Sequence, residues 1–194
     1  MDTLSPRPLS HGDIEVLRAC DAWFLSSPTA AHSLALALRA AGGGFTPRSL
    51  AVVGEASLAA WQAAGGVEAP CVDVSTSGES MGLLVALRQH ARVGIVRAQS
   101  GREDLPLALR AAGVHVHLIA AYEKTKNAAF ANLLRAALND NTLPKVLCLT
   151  STDQVACVRG AAWQAQAFNA ARVWASHPRV AKAALDAGFK LVTL

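Results

Sequence analysis

Hydroxyl-bearing residues stand at two places where an apolar run meets a helix-forming segment. The stretch AWFLSSPTAAHS leads into Ser26 and Ser27 before a proline, and VLCLTSTDQVACV leads into Thr150 and Ser151 much later in the chain. A helix N-terminus presents unpaired amides and a partial positive charge, so such turns can bind carboxylates or phosphates. The same hydroxyls can cap the helices, which is their more common use. The residues alone leave both uses open.

Two further turns have the same character. VGEAS contains Gly54, which permits close approach of a ligand to the backbone, and Ser57 as a hydroxyl. IVRAQSGREDL adds Arg97 and Arg102 on either side of a glycine. In parallel α/β folds, ligands gather at the carboxyl ends of the strands, where these turns would lie. The turns together predict a site for an anionic ligand.

The patterns typical of metal, nucleophilic and dinucleotide chemistry do not occur in this sequence. His115 and His117 share a strand face, but a zinc site needs at least a third ligand, and GREDL lacks the G-x-G-x-x-G pattern. We therefore predict no metal and no dinucleotide cofactor. Two candidate residues also have a purely structural interpretation. His177 precedes Pro178, as a residue at a helix start would. The only tyrosine, Tyr122, directly follows an apolar run, where it can be a packed ring with a hydrogen-bonded hydroxyl.

The composition limits the class of protein. The chain has 194 residues, of which 52% are hydrophobic and 16% charged, so it can bury a real core. Its four cysteines have no C-x-x-C spacing, which favours buried thiols in a reducing compartment. The net charge is +4, but the basic residues are spread along the chain, unlike those of a nucleic-acid surface. No signal-like or membrane-spanning apolar run occurs, so we predict a cytoplasmic protein that binds neither nucleic acid nor membrane.

Short apolar runs alternate with amphipathic stretches, which predicts an α/β fold built from βαβ units with largely parallel sheets. An internal repeat is also indicated, because the separation from Ser27 to Gly54 nearly equals that from Ser151 to His177. The second unit stops at FKLVTL, whereas the first continues through a further strand and helix. We therefore expect the terminal α/β domain to be incomplete.

In order and spacing, several of these segments resemble the uroporphyrinogen-III synthase family over nearly the whole chain. Each motif is weak alone, but their succession is fairly specific. The segments that carry the resemblance are FLSSPTAA, VVGEASLAAWQAAG, SMGLL, VGIVRAQSGREDLPLALRAAGVHV, AYEKT, LTSTDQV and SHPRVAKAALDAG.

The resemblance implies two βαβ-type domains, one inserted in the other and joined by a two-stranded connector. Residues 1–11 would form the leading connector, 12–120 the inserted domain, 121–125 the returning connector and 126–194 a partial terminal domain. By comparison with the family, this chain would be truncated at both ends.

The resemblance also implies a function, which is the cofactor-free cyclisation of hydroxymethylbilane with inversion of its last pyrrole ring. Tyr122 would be the catalytic residue, assisting loss of the substrate hydroxyl. A monomer is expected, and a contact with the preceding enzyme of the pathway stays open. The alternatives are a non-catalytic module that binds an acidic tetrapyrrole or another anion, and an inactive truncated synthase. The residues expected to bind the carboxylates of the substrate are Ser27, Gly54, Ser57, Arg97, Arg102, Ser151, Thr152, His177 and Arg179.

Overall fold

The computed structural model describes residues 2–43, 45–75, 79–126, 132, 136, 146–160 and 171–193. The chain divides into two compact units. The larger unit spans residues 4–125, and the smaller one contains residues 126–194 together with 1–3.

The larger unit contains most of a six-stranded sheet with the strand order β1-β6-β5-β2-β3-β4. The pairs β6–β5, β5–β2, β2–β3 and β3–β4 are all parallel, as the alternating pattern predicts. Central strands such as β2 read as continuous apolar runs because helices cover both faces of a parallel sheet. The strand bounds are β1 Asp2–Pro6, β2 Ala22–Leu25, β3 Ser49–Val53, β4 Val72–Ser75, β5 Arg92–Ala98 and β6 His115–Lys126.

The helices of this unit lie on both faces of the sheet. Trp23 and Leu25 of β2 pack with the first three helices, whereas Ala22 and Phe24 pack with the helical segments that come later. This alternation follows from the two-residue period of a strand. The helix bounds are α1 His11–Arg18, α2 Pro28–Ala40, α3 Gly54–Ala63, a 3-10 turn Ser80–Leu83, α4 Leu84–Leu87 and α5 Asp104–Ala111.

One difference from the sequence-based expectation concerns Tyr122. This residue does not follow a strand but lies inside β6, which runs on to Lys126. The strand continues because Gln99 donates its backbone N–H to the carbonyl of Tyr122 at 2.9 Å, so the backbone pairing persists beyond the apolar run.

The smaller unit contains a three-stranded parallel sheet in the order β7-β8-β9. From Val146 onward, the described elements follow in the order β7-α6-β8-α7-β9, which is the order of β2-α2-β3-α3-β4 in the larger unit. Gly65 and Gly188, just beyond α3 and α7, both have the positive φ that a glycine cap requires, at 79° and 102°. The bounds are β7 Val146–Leu149, α6 Thr152–Gly160, β8 Arg172–Ala175, α7 Pro178–Asp186 and β9 Leu191–Thr193.

Candidate active site

A cavity of about 250 Å³ lies in the larger unit. It is at the carboxyl ends of β2 and β5, beside the C-terminal part of β6. This is the edge at which parallel α/β sheets bind ligands. Hydroxyl and basic side chains dominate its polar part, and Phe24, Ile95 and Leu105 supply apolar wall. The polar residues that line it include Ser27, Arg97, Ser100, Arg102, Tyr122 and Lys124.

Ser27 links the helix α2 to the tyrosine of β6. As the N-cap of α2, its Oγ accepts a hydrogen bond from the backbone N–H of Ala30 at 3.1 Å. The same Oγ lies 3.0 Å from the phenolic oxygen of Tyr122, a hydrogen bond in which either atom can donate. Ser27 therefore both caps α2 and lines the cavity.

A bulge in β6 places Tyr122 at the cavity. Arg97 of β5 is level with Ala120, but the next residue, Ala98, is level with Tyr122, so Ala121 is the extra residue on β6. A bulge redirects the side chains that follow it. Tyr122 is only 5% exposed and packs in the same apolar cluster as Ala121, so its ring is fixed and largely removed from water.

Arg97 holds the loop that follows β5. Its buried guanidinium donates to the Glu103 carboxylate at 2.6 Å and to the backbone carbonyl of Arg102 at 2.9 Å. A Cβ at Gly101 would lie 3.3 Å from Nε of Arg97, so a larger residue there would press on the guanidinium. The loop carries Ser100 and the exposed Arg102 to the cavity wall. Arg97 therefore lines the cavity, but two of its N–H donors are already bonded to the Glu103 carboxylate and the Arg102 carbonyl.

Gly54 and Ser57 belong to the start of α3. Gly54 is the first residue of the helix and has φ 73°, which favours glycine. Ser57 is fully buried, and its hydroxyl donates to the carbonyl of Val53 at 2.8 Å. Val53 contributes to the cavity wall, whereas Gly54 and Ser57 do not.

The remaining candidate residues lie in the smaller unit, at one edge of its sheet. Ser151 begins α6 by accepting the backbone N–H of Gln154 at 3.2 Å, and Thr152 is the first residue of that helix. His177 is the N-cap of α7, where its Nδ1 accepts the backbone N–H of Arg179 at 3.1 Å. The two turns are neighbours because Leu149 of β7 pairs with Ala175 of β8.

Lys124 and Ser100 also line the cavity, although sequence reasoning did not select them. Lys124 was within reach of such reasoning, because it follows Tyr122 by two residues and strand side chains alternate. Ser100 stands directly before Gly101 in the segment already identified as a turn.

Within the ranges that the structure describes, no three His, Cys, Asp or Glu residues are placed to hold a metal ion. The helices in those same ranges include none that is long and apolar enough to cross a membrane.

One comparison with known proteins identifies a family, and another identifies solved structures of similar fold. The family model for uroporphyrinogen-III synthase HemD matches residues 6–193. A mutant uroporphyrinogen III synthase from the extremely thermophilic bacterium Thermus thermophilus is similar in structure with a TM-score of 0.69 and 19% identity, covering 100% of this chain and 81% of that one. The uroporphyrinogen-III synthetase from Helicobacter pylori gives a TM-score of 0.64 at 14% identity, covering 99% and 83%. No curated protein matches the chain significantly by sequence.

Proposed function

Because the chain belongs to the uroporphyrinogen-III synthase family, whose members are cyclising lyases of tetrapyrrole biosynthesis, we propose that the reacting end of hydroxymethylbilane binds in the cavity of the larger unit. The single observation that supports this is the Ser27–Tyr122 pair on the cavity wall. It offers a phenol as proton donor in a place that is largely shielded from water.

The reaction that we propose begins at the hydroxymethyl group of the substrate. The C–O bond breaks with its electron pair on oxygen, and that oxygen takes the proton of Tyr122 and leaves as water. The electron-rich pyrrole stabilises the resulting cation. The substituted α-carbon of the last pyrrole attacks this cation and forms a C–C bond. The C–C bond between that carbon and its original methylene bridge then breaks, with its electron pair returning to the pyrrole, which leaves a second cation on the released bridge carbon. The free α-carbon of the now inverted ring attacks that cation, and the proton that it gives up returns to Tyr122 and restores the phenol. Atoms and charges balance, with one water lost per macrocycle.

The carboxylates of the substrate are the second part of the proposal. Hydroxymethylbilane carries eight of them, and the cavity brings Arg102, Lys124 and the N-terminus of α2 to one region. Charged donors and helix N-termini both favour carboxylates. In this proposal Arg97 binds the substrate only through donors that are not used by Glu103 and Arg102.

The smaller unit offers a second set of anion-binding groups, at the starts of α6 and α7. Ser151, Thr152, His177 and Arg179 belong to this set and are proposed to hold further acetate or propionate groups. Gly54 and Ser57 are proposed to act indirectly, by fixing the backbone at the start of α3, since the side chain of Ser57 is buried and cannot contact the substrate.

The organisation of the whole molecule is proposed from the family as well. Residues 12–120 would be the inserted domain, with connectors at 1–11 and 121–125 and the terminal domain at 126–194. A cytoplasmic location is proposed, because all four cysteines are free thiols, although Cys71 and Cys148 are exposed and not buried as the sequence predicted. A monomer is proposed as well. Contact with the preceding enzyme of the pathway would protect a substrate that cyclises spontaneously.

Replacement of the phenol tests the proposal. Tyr122→Phe removes the hydroxyl and keeps the ring, so turnover of hydroxymethylbilane should fall by about ten- to a hundredfold while binding of uroporphyrinogen is kept. Stopped-time assays with chromatography of the oxidised porphyrins give the rate. Unchanged turnover would remove Tyr122 from the chemistry.

A further inference from the structure

We propose that Ser27 is a positioning residue that donates its hydroxyl proton to the phenolic oxygen of Tyr122, and so links the N-terminus of α2 to the proton donor. The inference rests on the proposed function, because it explains how Tyr122 can give up a proton in that site. Ser27 would then act through Tyr122 as well as on the carboxylates of the substrate.

The bonds already made leave Ser27 able to donate. Its Oγ accepts the N–H of Ala30 through one lone pair and keeps its own proton, and this inference assigns that proton to the bond with Tyr122. The phenolic oxygen of Tyr122, 3.0 Å away, is the acceptor within reach. If Ser27 donates, the phenolic proton of Tyr122 points elsewhere, and the cavity is the open side of this ring. The arrangement therefore aims the proton of Tyr122 at a bound ligand.

The electrostatics favour this direction at the moment of proton transfer. When Tyr122 gives up its proton, a negative charge forms on a phenol that is 5% exposed and receives little stabilisation from water. A donated Ser27 proton stabilises that charge directly. The Ala30 N–H polarises Ser27, since chained hydrogen bonds strengthen one another, and the positive end of the 13-residue helix α2 adds to the effect.

The surrounding structure fixes both partners. Ser27 has extended backbone angles at the helix start and is followed by Pro28, so its position is defined by α2 itself. Tyr122 is fixed by the bulge opposite Ala98 and by the backbone bond from Gln99. The two residues are 95 positions apart in the chain, yet each belongs to a rigid element.

The kinetic test uses four variants. Ser27→Ala should lower kcat by about tenfold, more than it raises KM, because the lost bond matters most when charge forms on the phenol. Ser27→Thr keeps a hydroxyl and should stay within about threefold of wild type. In the Tyr122→Phe background, Ser27→Ala should lower kcat by no more than about twofold, because the phenol on which Ser27 acts is already gone. The loss of a carboxylate contact by Ser27 is read separately, as a rise in KM in both backgrounds. A full tenfold loss in that background would overturn the inference.

The fourth variant controls for helix capping. Ser10 caps α1 through the same type of bond at the same distance, accepting the N–H of Asp13 at 3.1 Å, with an additional capping box to the Asp13 carboxylate, and it takes no part in the proposed site. Ser10→Ala should leave kcat unchanged. An equal loss of kcat in Ser10→Ala and Ser27→Ala would mean that capping alone explains the effect, which would also overturn the inference.

A spectroscopic test separates this inference from the proposed function. Tyr122 is the only tyrosine, so protein labelled with 13C at the tyrosine Cζ gives a single resonance without substrate. Ser27→Ala should move that resonance, and Ser10→Ala should not. If the resonance moves but the wild type never produces the type III isomer, the contact exists and the proposed function fails. If the resonance stays in place in Ser27→Ala, the inference fails whatever the enzyme produces.

Discussion

The loop that follows β5 should depend on a charge pair that a single substitution can remove. Glu103→Gln keeps the length of the side chain and a neutral acceptor but removes the negative charge beside the buried guanidinium of Arg97. The N···O distance is 2.6 Å, and the side chains of Glu103 and Arg97 are 46% and 11% exposed respectively. Two unit charges about 4 Å apart attract by about 4 kcal/mol at an effective dielectric constant of 20. Partial exposure of Glu103 and the retained amide acceptor reduce the expected loss of stability to about 1–2 kcal/mol.

The matched control is Glu15→Gln in α1. Glu15 accepts from Arg18 at 2.9 Å, but these side chains are 50% and 39% exposed, so the loss should be about 0–0.5 kcal/mol. The assay is native-state hydrogen exchange of the buried β5 amides, which gives the free energy of opening of this unit. Equal losses in the two variants would refute the view that Arg97 is a structural clamp. They would return it to the role of a substrate-binding side chain.

Three further predictions follow from burial and charge. Uroporphyrinogen affinity should fall steadily as salt rises from about 0.05 to 0.5 M, since screening weakens carboxylate binding; isothermal titration gives the curve, and a flat one would contradict an anionic ligand. Burial raises the pKa of the Cys20 thiol from 9.0 to about 11. At pH 8 the thiolate fraction of Cys20 should therefore be about a hundredfold below that of an ordinary thiol, and iodoacetamide should label it more slowly by the same factor. Peptide mass spectrometry should find Cys71 and Cys148, both exposed, modified first, and early labelling of Cys20 would refute its burial. Amides of β7, whose side chains are mostly exposed or half-buried, should exchange faster than those of β5, and equal protection would mean that the two sheets open together.

Much of the fold could be predicted because local patterns and global burial agree. The run AWFL is apolar at every position because β2 is covered by helices on both faces, and it forms a strand as expected. Gly65 and Gly188 end helices because only glycine adopts their positive φ without strain. Such features are written into short segments, so a single sequence is enough to find them.

The candidate site was less accessible to sequence reasoning, because its contacts join distant segments. The pairing of Ser27 with Tyr122 depends on the order of β2, β5 and β6 and on a one-residue bulge, and neither is visible in a local pattern. Arg97 was selected as a ligand group because it stands in a basic turn. Its bonds to Glu103 and Arg102 depend on the loop conformation, which the spacing of charges does not define.

The isomer composition of the product tests the central claim most directly. Hydroxymethylbilane closes spontaneously to the type I macrocycle, so the fraction of type III measures catalysis with ring inversion. Folded wild-type protein should raise that fraction in proportion to its concentration, as measured by chromatography of the oxidised porphyrins. A product that stays purely type I at high concentration of folded protein would contradict the account, and would leave a protein that binds the tetrapyrrole without converting it.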